Sequence, residues 1–361
     1  MTDRYRTLPS LTAGRGIAAL MVAAFHGTLL WPGKLAPYLS CGWLGVTFFY
    51  VLSGFVLTWS FSDRRTYQEF MIHRIARIFP VHILCLIVSI LCFLVFHAPF
   101  GGYIGTPVGT ILQLFLVHDF VPGHPNIRQA WDGVSWSLSA EFFFYLFAPL
   151  IIRKLMQLQN HVLLNMGMLL FVAHFSIGAT LHKLNAAKLY DFMVYHPIAY
   201  LPTFIYGIIG AILIQRGLRL KIGLTLKVAL FLPIIVYCFV ADDRDAITMI
   251  ALSVPAFLAF ILGEAGDDTE GKSSMLAHSI FEKIGEISYS LYMTHAILLA
   301  FMGYAVSKFN VPQYPTIFLV IFLLSSLVLA WLTFTFVEMP AKNHIISRFK
   351  AKAARKKVVT T

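Results

Sequence analysis

The segment Thr316–Val337 reads TIFLVIFLLSSLVLAWLTFTFV, 22 consecutive residues without Asp, Glu, Lys, Arg or His. At ~1.5 Å per residue such a helix crosses the ~30 Å hydrocarbon layer of a bilayer. The same pattern recurs along the chain. Of 361 residues, 58% are hydrophobic and 12% charged, with a mean hydropathy of +0.75. Soluble domains are roughly 45–50% apolar and ~25% charged, so neither a soluble fold nor a disordered chain fits. Apolar runs separated by polar breaks predict ten spans: 12–31, 42–61, 78–97, 136–152, 162–182, 198–215, 226–240, 246–262, 285–306 and 316–337. The fold class is therefore all-α, a polytopic transmembrane helix bundle of about ten spans. No room is left for a separate water-soluble catalytic domain. The run 107–118 is too short to span, and is read as re-entrant or interfacial. No soluble linker, low-complexity tract or internal repeat stands out.

The net charge is +11, from 28 Lys+Arg against 17 Asp+Glu. With the N-terminus inside, 21 of the 28 basic residues fall in inner segments and six in outer loops, with Arg15 at the inner end of span 1. This asymmetry predicts that both termini are cytoplasmic. It also explains the basic balance without nucleic acid as a partner. Residues 1–341 read as the membrane-embedded domain and 342–361 as a basic cytoplasmic tail that meets anionic membrane lipids. The first apolar stretch carries Arg15 and His26 and reads as a retained helix, not a cleaved signal. Of Cys41, Cys85, Cys92 and Cys238, three lie inside apolar runs. The four show no metal-ligand spacing and are expected to be buried hydrophobes without a disulfide framework.

Ionisable groups inside a bilayer are costly and mark functional candidates. Arg15 and His26 are eleven residues apart. That is about three helical turns, ~16 Å, on nearly one face. Their alternatives are a general base with a cation, or a packed His and a snorkelling Arg. In span 2, Ser53-Gly54 permits close helix approach, and Ser53 is a nucleophile only beside a base. Arg74 and Arg77, in the segment read as the inner loop before span 3, share a face. They suit a phosphate-rich ligand or a topology anchor. Glu141, near the outer end of span 4, orients an imidazole, fixes an arginine, binds a sugar hydroxyl or forms a structural ion pair. Asp132 lies just outside that span and is the weaker candidate. Span 9 places Ser288, Tyr292 and His295 on one polar face, lining a cavity or bonding between helices. Glu338 closes span 10 two residues before Pro340, which cannot continue a regular helix ladder.

Six of these motifs occur in an order that resembles the acyltransferase 3 family of integral membrane acyltransferases. They are Arg15 with His26; Tyr50 to Phe55; Arg74, Arg77, Ile78 and Pro80; Trp136, Ser137, Leu138 and Glu141; Ser288 to His295; and Glu338 with Pro340. The resemblance runs from about Leu8 to Pro340. It implies transfer of an acyl group, usually acetyl, from cytoplasmic acetyl-CoA to an extracytoplasmic hydroxyl. Typical acceptors are surface glycans such as O-antigen, capsule or other exported polysaccharide, or a lipid-linked saccharide. The C-terminal esterase-like domain of some relatives has no counterpart in this sequence. The location implied is a bacterial inner membrane, and no metal is implied. On this reading His26, Glu141 and Arg15 are catalytic, and Arg74, Arg77 and Arg15 hold acetyl-CoA. Ser53, Ser290, Tyr292 and His295 line the substrate path. His26 acts as general base for direct transfer or carries the acetyl group itself. A proton-coupled transporter or flippase, or a non-catalytic subunit of a glycan-export complex, would also place buried His, Arg and Glu among ten spans.

Overall fold

A computed structural model describes residues 8–96, 104–121, 124–184, 187–218, 222–240, 245–272, 275–312 and 314–359. Arg4, Arg6, Arg219, Lys221 and Arg244, counted above for topology, lie outside the described residues. The long helices are α1 (Pro9–Leu30), α2 (Gly45–Trp59), α3 (Tyr67–Phe96), α4 (Ser135–Met156), α5 (Asn160–Leu184) and α6 (Pro197–Gln215). They continue with α7 (Leu224–Val240), α8 (Ala246–Glu270), α9 (Ser288–Lys308), α10 (Pro315–Thr333) and α11 (Met339–Val359). Among the described residues no strand forms, and nine helical segments are long and apolar enough to cross a membrane. Helix α7 is the tenth, shorter and apolar. The chain is an integral membrane protein built as a polytopic helix bundle.

Helix starts follow from the local sequence. Pro9, Pro197 and Pro315 open α1, α6 and α10, where a missing N–H costs nothing. Asp245 caps α8 by accepting from the N–H groups of Ile247 (3.3 Å) and Thr248 (2.7 Å). Helix α3 begins eleven residues earlier than the apolar run from residue 78 predicts. Thr66 caps it, accepting from Glu69 N–H at 3.1 Å, and the Thr66/Glu69 pair has capping-box spacing. Arg74 and Arg77 are thus on a helix wall and not in a loop, which corrects the sequence reading.

Small residues let the helices meet backbone to backbone. A Cβ at Gly54 would lie 2.0 Å from Phe204 O, and one at Gly207 would lie 1.8 Å from Val51 O. Helices α2 and α6 therefore cross at reciprocal glycines. Gly16 meets the short helix Ser279–Glu286 in the same way at Gly285, fixing α1 against the start of α9. Ser10 N–H and Oγ donate to the Asp268 carboxylate at 3.1 and 2.8 Å, so α1 begins beside the end of α8. That end of the bundle also holds Arg65 and Arg153, which line a cavity with Arg74, and the start of α11, where Lys342 lies within electrostatic reach of Arg15, Arg74 and Arg77; it is called the basic end below.

One further expectation is corrected. Cys41 and Cys238 form a disulfide across 197 residues, joining the turn before α2 to the end of α7. Cys85 is a buried free thiol as expected, and Cys92 is free and half-buried. Pro340 meets no regular α ladder, as its ring requires, and the helix continues past it. The turn before it, Phe334–Glu338, is a π-helix, whose wider ladder passes the missing N–H and the proline ring. The 341/342 boundary consequently falls inside α11.

Residues 104–121 and 124–134 are held by a buried polar network. They contain the short helix Pro107–Leu114, which ends well short of a span. Gln113 Nε2 donates to Ala130 O (2.7 Å), Asp132 O (3.2 Å) and Ser135 Oγ (2.7 Å), while His82 Nε2 donates to Gln113 O at 2.8 Å.

Candidate active site

The sequence candidates separate into two neighbouring groups. The first lines a cavity between α1, α2, α3, α4 and α9: Arg15, Ser53, Arg74, Arg77, Glu141 and Tyr292. Tyr50, Ser137, Tyr145, Ser288 and Tyr289 complete its polar lining. Ser137, Glu141 and Tyr145 follow one another at four-residue spacing, so one face of α4 supplies a polar stripe ~12 Å long. Helix α2 contributes Ser53 because Gly54 beside it brings the helix against α6.

Glu141 Oε1 accepts from Ser53 Oγ at 3.1 Å and also from the Tyr145 hydroxyl. Its hydrogen-bond partners are therefore a serine and a tyrosine; among the described residues it makes no hydrogen bond to His26 and no ion pair, and its charge acts on Arg15 and Arg74 over a longer distance. Tyr145 was not singled out from the sequence. The signal was available, because a residue four after Glu141 shares its face. Tyr50 donates to Ser137 O at 3.1 Å.

The cavity holds three guanidiniums, of Arg15, Arg74 and Arg77, against the single carboxylate of Glu141. Among the described residues none of these three arginines belongs to an ion pair. The Arg74 guanidinium lies 5.8 Å from the Phe70 ring centre and 5.9 Å from that of Tyr145, and its Nε is buried without a hydrogen-bond partner. Taking cations from water without pairing them is costly. A cavity walled this way favours an anionic occupant, and guanidinium forks match phosphate oxygens. A second cavity shares Leu57 and Arg74 with the first. It adds Arg65 and Arg153, with Ser60, Ser62 and Thr66, at the basic end.

The second group is a histidine pair. His26 Nδ1 lies 2.8 Å from His295 Nε2, with the rings nearly parallel and their centres 5.1 Å apart. Neither ring lines the arginine cavity. Tyr292 joins the two groups: it lines the cavity, and its ring centre is 5.7 Å from that of His295. Its hydroxyl is 2.6 Å from Ser137 Oγ. Ser290 faces elsewhere and donates to Glu338 Oε2 at 2.7 Å.

Asp132 is fully buried beyond the start of α4. Burial pushes its carboxyl up to about 7, an effect that the Val134 N–H partly offsets. Burial likewise holds the His118 imidazole down at about 3, with His82 adding to the effect. Among the described residues no group of three His, Cys, Asp or Glu is arranged to hold a metal ion.

Residues 8–335 match the family model described as an acyltransferase domain, acyltransferase 3. The chain belongs to the acyltransferase 3 family. It is similar to the acyltransferase MdmB of Streptomyces mycarofaciens, 28% identical over 83% of this chain and 81% of that protein. It is also 27% identical to a putative acetyltransferase, ORF330, of Acidianus two-tailed virus, over 82% of this chain and 84% of the relative. The O-acetyltransferase OatA of Staphylococcus aureus is 25% identical over 94% of this chain, which spans 58% of OatA. No solved structure matches the chain at a significant level. The protein is a membrane acyltransferase, and the guanidinium cavity with its adjoining histidines is its candidate active site.

Proposed function

We propose that the protein is an O-acetyltransferase, moving acetyl from acetyl-CoA to a hydroxyl of an exported glycan or lipid-linked saccharide. The single observation that carries the donor assignment is the cavity with three guanidiniums, none in an ion pair among the described residues. Acetyl-CoA presents phosphates at one end and a thioester at the other. The phosphates meet Arg74 and Arg77 from the basic end, which is the cytoplasmic side of a bacterial inner membrane. Arg15 faces the pantetheine arm or the thioester oxygen.

The acceptor approaches from the far end, where His26 is partly exposed. His26 takes the proton of the acceptor hydroxyl as general base. The hydroxyl oxygen attacks the thioester carbon, the C–S bond breaks, and the proton passes from His26 to the departing thiolate. The products are the acetyl ester and CoA thiol. Tyr292 and Phe49, whose ring centres are 5.9 Å apart, stand between cavity and histidines.

The test is mass spectrometry of the surface glycan from a deletion strain carrying wild type or His26→Ala at matched protein levels. It is paired with turnover of acetyl-CoA by the purified protein. The expected result is an acetyl increment with wild type only, and a loss of ~10²–10⁴ in purified turnover for His26→Ala. An acetyl increment in both strains would remove His26 from the chemistry. Absence of acetyl-CoA turnover by the purified wild type would favour a transporter or an accessory subunit.

A further inference from the structure

We infer that His295 is a positioning residue that fixes the tautomer of His26, leaving Nε2 of His26 as the atom that accepts the acceptor's proton. This rests on the base role proposed for His26 and assigns its working atom. The argument begins at the far side of His295. Its Nδ1 lies 2.6 Å from Tyr292 O and 3.2 Å from Leu291 O. Carbonyl oxygens only accept, so Nδ1 of His295 must carry a hydrogen. In a neutral imidazole the other nitrogen then bears the lone pair, so Nε2 of His295 is an acceptor. Nε2 faces Nδ1 of His26 at 2.8 Å. Two bare nitrogens at that separation would repel, so Nδ1 of His26 is the donor. Nε2 of His26 is left with its lone pair free, and among the described residues His26 makes no other polar contact.

The chain of donors runs one way, from His26 to His295 to the backbone of α9. When Nε2 of His26 takes the acceptor proton, the resulting imidazolium keeps its Nδ1–H bond to His295. Its charge is then shared towards two carbonyl dipoles without any further proton movement. His295 is wholly buried and His26 only partly so. His26 is thus the more accessible of the two rings, and His295, with both of its nitrogens occupied, acts through it.

The experiment is ¹⁵N NMR of selectively labelled, ligand-free full-length protein in detergent, at a pH where His26 is neutral, for wild type, His295→Leu and His295→Gln. Glutamine can place its Oε1 near the position of the lost Nε2, whereas leucine offers no acceptor. In wild type His26 should show a protonated Nδ1 and a bare Nε2, the minor form of free histidine. His295→Leu should abolish that preference and lower kcat ~10²-fold with the acetyl-CoA KM unchanged, and His295→Gln should restore both to within ~10-fold. A protonated Nε2 in wild type, or a tautomer indifferent to His295→Leu, overturns the inference. If His295→Leu does not fold, the wild-type spectrum alone decides. The tautomer is read without substrate, so retained turnover in His26→Ala would sink the base role while the tautomer assignment is judged separately.

Discussion

Replacing Arg74 by alanine removes one of the three guanidiniums that make the cavity an anion site. A hydrogen bond to a charged group is worth roughly 1.5–3 kcal/mol. At ~1.4 kcal/mol per tenfold, Arg74→Ala should weaken acetyl-CoA binding by about 10- to 150-fold. The folded state gives up little in exchange. Arg74 has no salt bridge among the described residues, only ring contacts to Phe70 and Tyr145 worth ~0.5–1 kcal/mol each. Its loss also relieves repulsion from Arg77, three residues away on the same wall. The melting temperature should therefore barely move while the dissociation constant rises. Arg74→Lys keeps the charge and loses the planar fork, so it should recover only part of the affinity. Titration calorimetry of acetyl-CoA into the detergent-solubilised protein reads the constant, and steady-state turnover reads KM and kcat. The loss should appear in KM, with kcat reduced far less than in His26→Ala. Arg348→Ala removes an exposed cation from the same end of the molecule and should leave binding unchanged. A folded Arg74→Ala protein whose dissociation constant stays within about twofold of wild type refutes the argument. So would an equal loss in Arg348→Ala, which would make the effect one of general surface charge.

Two other outcomes follow from groups away from the cavity. Burial holds the Asp132 carboxyl at about 7 against an ordinary 3.8, so the folded state favours its protonated form. Stability should be unaffected at low pH, fall between about 4 and 7, and level off above. Roughly 3 pH units at ~1.4 kcal/mol each put the full penalty near 4 kcal/mol. Asp132→Asn should therefore melt above wild type at pH 8, with the gap closing by about pH 4. The Cys41–Cys238 bond should add about 2–4 kcal/mol. Cys41→Ser should lower the melting temperature and expose one new thiol, at Cys238, to maleimide in the unfolded protein without reductant. Four reactive thiols in the unfolded wild type, falling to three in Cys41→Ser, would show that the two cysteines are not bonded.

The apolar period made the spans legible, because a bilayer demands ~20 uninterrupted residues whatever the tertiary partners. Polar helix ends were not legible by the same rule. The apolar run of α3 starts near Ile78, yet the helix starts at Tyr67, and only the Thr66/Glu69 cap announces it. Pro340 announced an irregular ladder but not its form, since a break, a kink and a π turn all accommodate the missing N–H. Arg15 and Glu141 were recognisable as expensive in a membrane, whereas Arg74 and Arg77 read as part of an inner loop. Their meeting was not legible, since Arg15, Arg74, Arg77 and Glu141 lie on three helices whose packing depends on glycine contacts such as Gly16 with Gly285. Pairing across long separations was equally hidden, as with His26 and His295 or Cys41 and Cys238. Glu141 illustrates the limit best. Its charge flagged it, but its orientation towards Ser53 and Tyr145 depends on how α2 and α4 are rotated.

Helix α9 ties the two halves of the site together. Ser288 and Tyr292, four apart, face the arginine cavity, and His295, three further on, carries the same face up to His26. The steps of four and three keep these side chains aligned on a 3.6-residue helix. Ser290 lies on another face and donates to Glu338 in the π turn, and Gly285 just before α9 packs against Thr12 and Gly16 of α1. These contacts set both the rotation and the height of α9. A slip of one residue would turn its polar face by ~100° and move it ~1.5 Å. Tyr292 would leave the cavity and His295 would leave His26 in the same movement. The proposed donor site and base are therefore not independently adjustable. The spacing from Ser288 to His295 converts one helix register into a fixed relation between the guanidinium cavity and the histidine pair beyond it.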